Sequence, residues 1–156
     1  MAALPEYAPT ETDLSYERKW AADDFDRYVH GCAAWSRGED LPQGWVPSST
    51  FWLVDGAHYV GTVLLRHFIT EHMHRFGGHI GYIIRPSGRR KGFGSLICKL
   101  ALDKARSLGL DRVLLTCADT NVGSAKIIER NGGVLQDKIM VGTRPVPTRR
   151  YWIELT

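Results

Sequence analysis

The spacing of apolar and polar positions changes several times along the chain, and each change predicts an element. Over residues 14–37 the spacing is helical: Phe25, Tyr28, Val29 and Cys32 fall at i, i+3, i+4 and i+7 and form one apolar face. Gly38 and Pro42 break it, so 38–50 reads as loop. Residues 51–54 and 58–68 read as paired strands, with Val60, Thr62 and Leu64 on one face and Asp55-Gly56 as the hairpin turn. A His-rich connection spans 70–78. Tyr82, Ile83 and Ile84 mark a strand over 79–85, ended by Pro86, which has no N–H to give a ladder. A helix over 92–108 follows, with Phe93, Leu96, Ile97, Leu100, Ala101 and Leu108 as its expected buried stripe and Gly109 past its end. Next come a strand over 112–117 and a helix over 121–131, with Asn121 or Thr120 as N-cap and Gly132-Gly133 as stop. Two last strands, 134–141 and 149–155, flank a Pro-containing loop. Residues 1–13 have no period and read as a loose arm or an edge segment. Strand, helix and strand over 79–117 make a β-α-β unit, whose strands should be parallel.

Composition narrows the class. A chain of 156 residues suits one domain with its own core, and 44% hydrophobic with 24% charged residues is ordinary for a globular protein. The net charge of +3 sits partly in two clusters, 89–91 and 149–150. A nucleic-acid binder would carry a longer basic stripe. Cys32, Cys98 and Cys117 are far apart, which suggests neither a disulfide framework nor a zinc knuckle. No basic start precedes an apolar run, and no apolar run approaches the roughly 18 residues of a membrane span. The expectation is a cytoplasmic protein with no membrane or nucleic-acid partner.

The candidate chemistry lies where the strand over 79–85 runs into Arg89-Arg90-Lys91-Gly92-Phe93-Gly94-Ser95 and then a helix. N–H groups at a helix N-terminus are unpaired and the helix dipole adds positive potential, so this turn predicts an anion site, most simply for phosphate. The Walker pattern fails, because the sixth position from Gly88 is Phe93. The dinucleotide fingerprint fails, because Ile97 stands where its last glycine should be. The stretch from Arg89 to Gly94 resembles the pyrophosphate-binding Arg/Gln-x-x-Gly-x-Gly/Ala motif of the GNAT N-acyltransferase superfamily. Residues 121–133, Asn-Val-Gly-Ser-Ala-Lys-Ile-Ile-Glu-Arg-Asn-Gly-Gly, resemble that family's second signature: Asn121, Ser124, Ile127, Arg130 and Gly132 stand at its Asn, Ala, Leu, Lys and Gly places. The phrase Gly-His-Ile-Gly-Tyr-Ile-Ile-Arg-Pro resembles a branch known simply as predicted acetyltransferases.

The resemblance implies an α/β (α+β) fold. Its mixed, mostly antiparallel twisted sheet would have six to seven strands, a central parallel β-α-β pair and helices on both faces, in a single domain over 1–156. It implies acetyl-CoA as co-substrate and direct transfer to a small-molecule or peptide amine, by a monomer or homodimer. The loop Arg89, Arg90, Lys91, Gly92, Phe93, Gly94 and Ser95 would hold the pyrophosphate. Tyr82, Ile83 and Ile84 would pair with the pantetheine arm, the Ile83 N–H would polarise the thioester carbonyl, and Asn121 and Ser124 would touch the cofactor. One departure stands out. The family's general-acid Tyr is replaced by Ile128, which has no proton to give; the thiolate leaves without acid help, or the proton comes from water or from another residue, with Tyr82 and Cys117 as alternatives. Glu71, His72, His74 and His79 are candidate bases, with His79 nearest the reacting centre in sequence. The four histidines His67, His72, His74 and His79 match no closed metal site, so no metal is expected. Trp35, Trp45, Trp52, Glu39, Asp40 and Asp55 are available to the acceptor. A CoA-binding sensor with little catalysis is the alternative function.

Overall fold

The structure, a computed structural model, describes Glu6 and residues 15–156, the latter without the side chains of 15–18. Except at Glu6, the expected arm over 1–13 lies outside the described residues. The expected first helix is two: α1 (Ser15–Asp23) and α2 (Phe25–Ser36). Asp24 separates them in extended conformation (φ −152°, ψ 94°) and caps α2 by accepting from Arg27 N–H. A helix-competing side chain thus overrides the apolar period. Of the predicted face, Tyr28 is buried while Phe25 and Val29 are exposed.

β1 (Ser48–Asp55), β2 (His58–Arg66) and β3 (Ile80–Ile84) form one antiparallel sheet in the order β1-β2-β3. The connection before β3 contains a short helix, α3 (Glu71–Arg75), capped by Thr70. After β3 come α4 (Phe93–Ser107), β4 (Arg112–Ala118), α5 (Val122–Arg130), β5 (Val134–Ile139) and β6 (Thr148–Glu154). β4, β6 and β5 form a second antiparallel sheet in that order. The single sheet with a central parallel pair is therefore not formed as a ladder: the described strands make two three-stranded sheets that meet where β3 begins.

α4 lies against β2 and β3 of the first sheet and beside α5. Ile97, Cys98, Ala101, Leu102 and Ala105 pack into the core with Val63, Leu65, Ile80, Ile84, Val113, Leu115 and Tyr151. The buried stripe is rotated from the expected one: Leu96, Leu100 and Leu108 are exposed. Cys98, Ala101 and Ala105 are small, which lets the helix axis approach the strands closely.

Candidate functional site

The two sheets are stitched at one place. His79 N–H donates to Leu114 O at 2.7 Å, and Leu114 N–H donates back to His79 Nδ1 at 2.9 Å. Gly78 makes the approach possible: its φ is +62°, and a Cβ there would stand 2.3 Å from Leu114 O. Gly77 N–H donates to Thr116 Oγ1 at 3.0 Å, and Arg150 Nη1 donates to the His74 carbonyl at 3.1 Å. The segment before β3 is thus pinned to β4 and β6. Beyond the pin no ladder joins β3 to β4, so β3 keeps an open edge.

Register decides which groups line that edge. Arg66 N–H donates to His79 O and Arg85 N–H donates to Val60 O. Antiparallel bonds alternate, so between these two bonds Gly81 and Ile83, opposite Leu64 and Thr62, turn their main-chain groups to β2. Ile80, Tyr82 and Ile84 turn theirs to the open edge. The register turns the Ile83 N–H into the ladder toward Thr62, away from the edge where the thioester donor is expected; among the described residues Tyr82 and Ile84 turn their N–H groups to that edge. Arg89 Nε donates to the Ile84 carbonyl at 3.0 Å, closing that acceptor and folding the loop against the strand.

The two sheets, joined at the pin and without a ladder beyond it, leave a cleft beside β3, and the end of it away from the pin is the start of α4. Gly92 is its N-cap at φ +85°, with no side-chain cap. Leu96 N–H bonds Gly92 O, but among the described residues nothing accepts from the N–H of Phe93, Gly94 or Ser95. Arg90 (φ +62°) and Lys91 are exposed beside them. Gly94 lets α5 close in, since a Cβ there would lie 2.6 Å from Ile127 Cδ1. Ser95 Oγ accepts from Asn131 Nδ2 at 3.2 Å, tying α4 to the end of α5. Three free N–H groups, a helix dipole and two exposed cations make an anion cradle.

A family model described as an acetyltransferase (GNAT) domain matches residues 3–134. The chain belongs to the GNAT acetyltransferase family. Its fold is like that of yncA from Salmonella typhimurium, described as an acetyltransferase with its cofactor acetyl-CoA (TM-score 0.61, 14% identity, covering 85% of this chain and 73% of that one). It is also like spermidine N-acetyltransferase from Vibrio cholerae in complex with CoA and spermine (0.60, 20%, 85% and 76%). A third is a Bacillus subtilis acetyltransferase in complex with CoA (0.56, 15%, 70% and 78%). At such identities the likeness is one of fold. No curated protein sequence matches the chain.

Within this GNAT domain the second signature sits beside the open edge. Asn121 caps α5, its Oδ1 accepting from Ser124 N–H at 3.0 Å, and its Nδ2 has no partner among the described residues. Tyr82 reaches from β3 to α5, its hydroxyl 3.0 Å from Ser124 Oγ. Burial pushes the Tyr82 hydroxyl well above its ordinary range, and the Cys117 thiol up to about 11. Both groups therefore hold their protons firmly. Ile128, at the family's Tyr place, is 1% exposed and belongs to the core.

His79 is corrected from base to clamp. Burial pushes it down to about 4, with the nearby His74 and Arg66 adding to the effect. The ring is neutral, Nδ1 accepts from Leu114, and the proton is on Nε2, so no free lone pair remains. Glu71 and His72 are exposed and His74 half-buried on α3, upstream of the pin. The reading of the sequence missed Glu6, whose carboxylate accepts from the Arg85 guanidinium and from Ser87 N–H at 3.1 Å. Those bonds, chiefly with Arg85, hold its carboxyl at about 2. A lone acidic residue in an aperiodic arm gave no signal. Among the described residues no group of three His, Cys, Asp or Glu could hold a metal ion, and no helix is long and apolar enough to cross a membrane.

Proposed function

We propose that this chain is an acetyl-CoA-dependent N-acetyltransferase that passes the acetyl group directly to an amine. The observation that carries the reading is the uncapped mouth of α4 at one end of β3's open edge. In this account the N–H groups of Phe93, Gly94 and Ser95 bind the pyrophosphate, with Arg90 and Lys91 adding charge. The pantetheine lies along Tyr82 and Ile84 and meets Asn121 Nδ2. A main-chain N–H on that edge, at Tyr82, polarises the thioester carbonyl as charge builds on its oxygen. The acceptor nitrogen attacks the carbonyl carbon, the C–S bond breaks, and the thiolate departs. A thiol with a free pKa near 8.5 leaves tolerably at neutral pH, so Ile128 in place of an acid slows the step without forbidding it. The acceptor's proton goes to water or to Glu71, His72 or His74.

Core placement of Ile128 also favours a second reading, a CoA sensor with little turnover. Melting curves with CoA and acetyl-CoA, followed by thiol release over a panel of primary amines, separate the two. Both cofactor forms should raise Tm by mass action. Thiol release with at least one amine supports the transferase, binding without release over the panel supports the sensor, and no rise in Tm removes both.

A further inference from the structure

Two glycines lie inside strands, Gly61 of β2 and Gly81 of β3, and the chain's own packing explains only one. A Cβ at Gly61 would stand 2.4 Å from Ile83 O and 2.7 Å from Ile84 Cδ1. A Cβ at Gly81 would meet nothing within 4 Å among the described residues, and Gly81 has no left-handed φ. Glycine weakens a strand interior through backbone entropy and lost packing, and one not required by its neighbours marks a place where something else comes close.

Position says what that is. Gly81 lies between Ile80 and Tyr82, at the narrow end of the cleft, two residues from the His79–Leu114 pin. The Tyr82 side chain projects toward α5, where it meets Ser124. Successive side chains alternate across a strand, so the other face at this point is bare backbone. A cofactor anchored at the α4 mouth runs back along β3 from Ile84, which puts its thioester, and then its acyl group, at Gly81.

We infer that Gly81 is the floor of the acyl subsite and sets the size of acyl group this enzyme accepts. The pin closes the far side, so the subsite suits a short chain. The inference rests on the CoA reading above.

The test is calorimetric binding of CoA, acetyl-CoA, propionyl-CoA and butyryl-CoA to wild type, Gly81→Ala and Gly81→Val, with Tm for each protein. Wild type that binds no CoA overturns the cofactor reading itself, before any variant is compared. Given CoA binding, Gly81→Ala should keep or raise Tm, because nothing crowds its Cβ and the unfolded chain loses freedom. Both variants should bind CoA like wild type. The longest acyl chain that binds as well as CoA should shorten by a carbon or more, each excess methylene costing about tenfold or more. Three results would overturn the inference: an acyl series unchanged in both variants, CoA affinity falling together with the acyl forms, or a lowered Tm in Gly81→Ala. If Gly81→Val does not fold, Gly81→Ala carries the comparison.

Discussion

The two ends of the cleft beside β3 are built on opposite terms. At the narrow end, main chain and His79 ring satisfy each other across the sheets, and Gly78 is there because Leu114 O leaves no room for a Cβ. At the other end, three N–H groups of α4 have no partner among the described residues, and the N-cap has no side chain to satisfy them. α5, one element away, shows that the chain can satisfy a helix start with its own side chain: Asn121 caps it. Unfinished polar structure at one end, rather than a particular side chain, is what the proposed cofactor site rests on.

The largest effect should come from the closed end. His79→Ala removes the acceptor of a buried N–H and leaves a cavity, and should cost roughly 4 kcal/mol in denaturant titrations. A loss under about 1 kcal/mol would mean that the pin is incidental. Acid acts on the same group. Folded His79 titrates at about 4, and an unfolded histidine near 6.5. Between these values the unfolded chain binds the extra proton. The stability that His79 contributes is therefore complete above pH 6.5 and falls by roughly 3 kcal/mol as pH drops to 4. Subtracting the pH profile of His79→Gln from that of wild type should isolate this slope.

At the open end, Gly92→Asp puts a negative charge and a strained left-handed residue at the mouth. CoA affinity should fall by on the order of 100-fold, about 2.7 kcal/mol. Unchanged calorimetric affinity would take the mouth out of the account. The smallest effect belongs to the capped helix. Asn121→Ala should cost about 1 kcal/mol of stability in the same titrations, together with a weaker loss of CoA affinity than Gly92→Asp.

Local features were readable in the sequence, and long-range ones were not. The hairpin and the bounds of α4 follow from period, Pro86 and Gly92, all signals within a few residues of the elements they set. The fate of the Ile83 N–H depends on pairing with Thr62, and the role of His79 depends on Leu114, 35 residues away. No local pattern encodes either. The stripe of α4 was misread because Cys98 and Ala105 carry little apolar weight in a sequence, yet small side chains are what a close helix–sheet contact selects. The family motifs point to a loop for the proposed cofactor, but they could not say that Ile128 would be core.

The most direct test is amide hydrogen exchange by NMR, with and without CoA. The account predicts that CoA slows exchange at Phe93, Gly94 and Ser95 and at Tyr82 and Ile84 on the open edge, while Ile83, already held by β2, changes little. CoA binding that leaves the α4 amides exchanging as before, or that protects Ile83 in place of its neighbours, would contradict it.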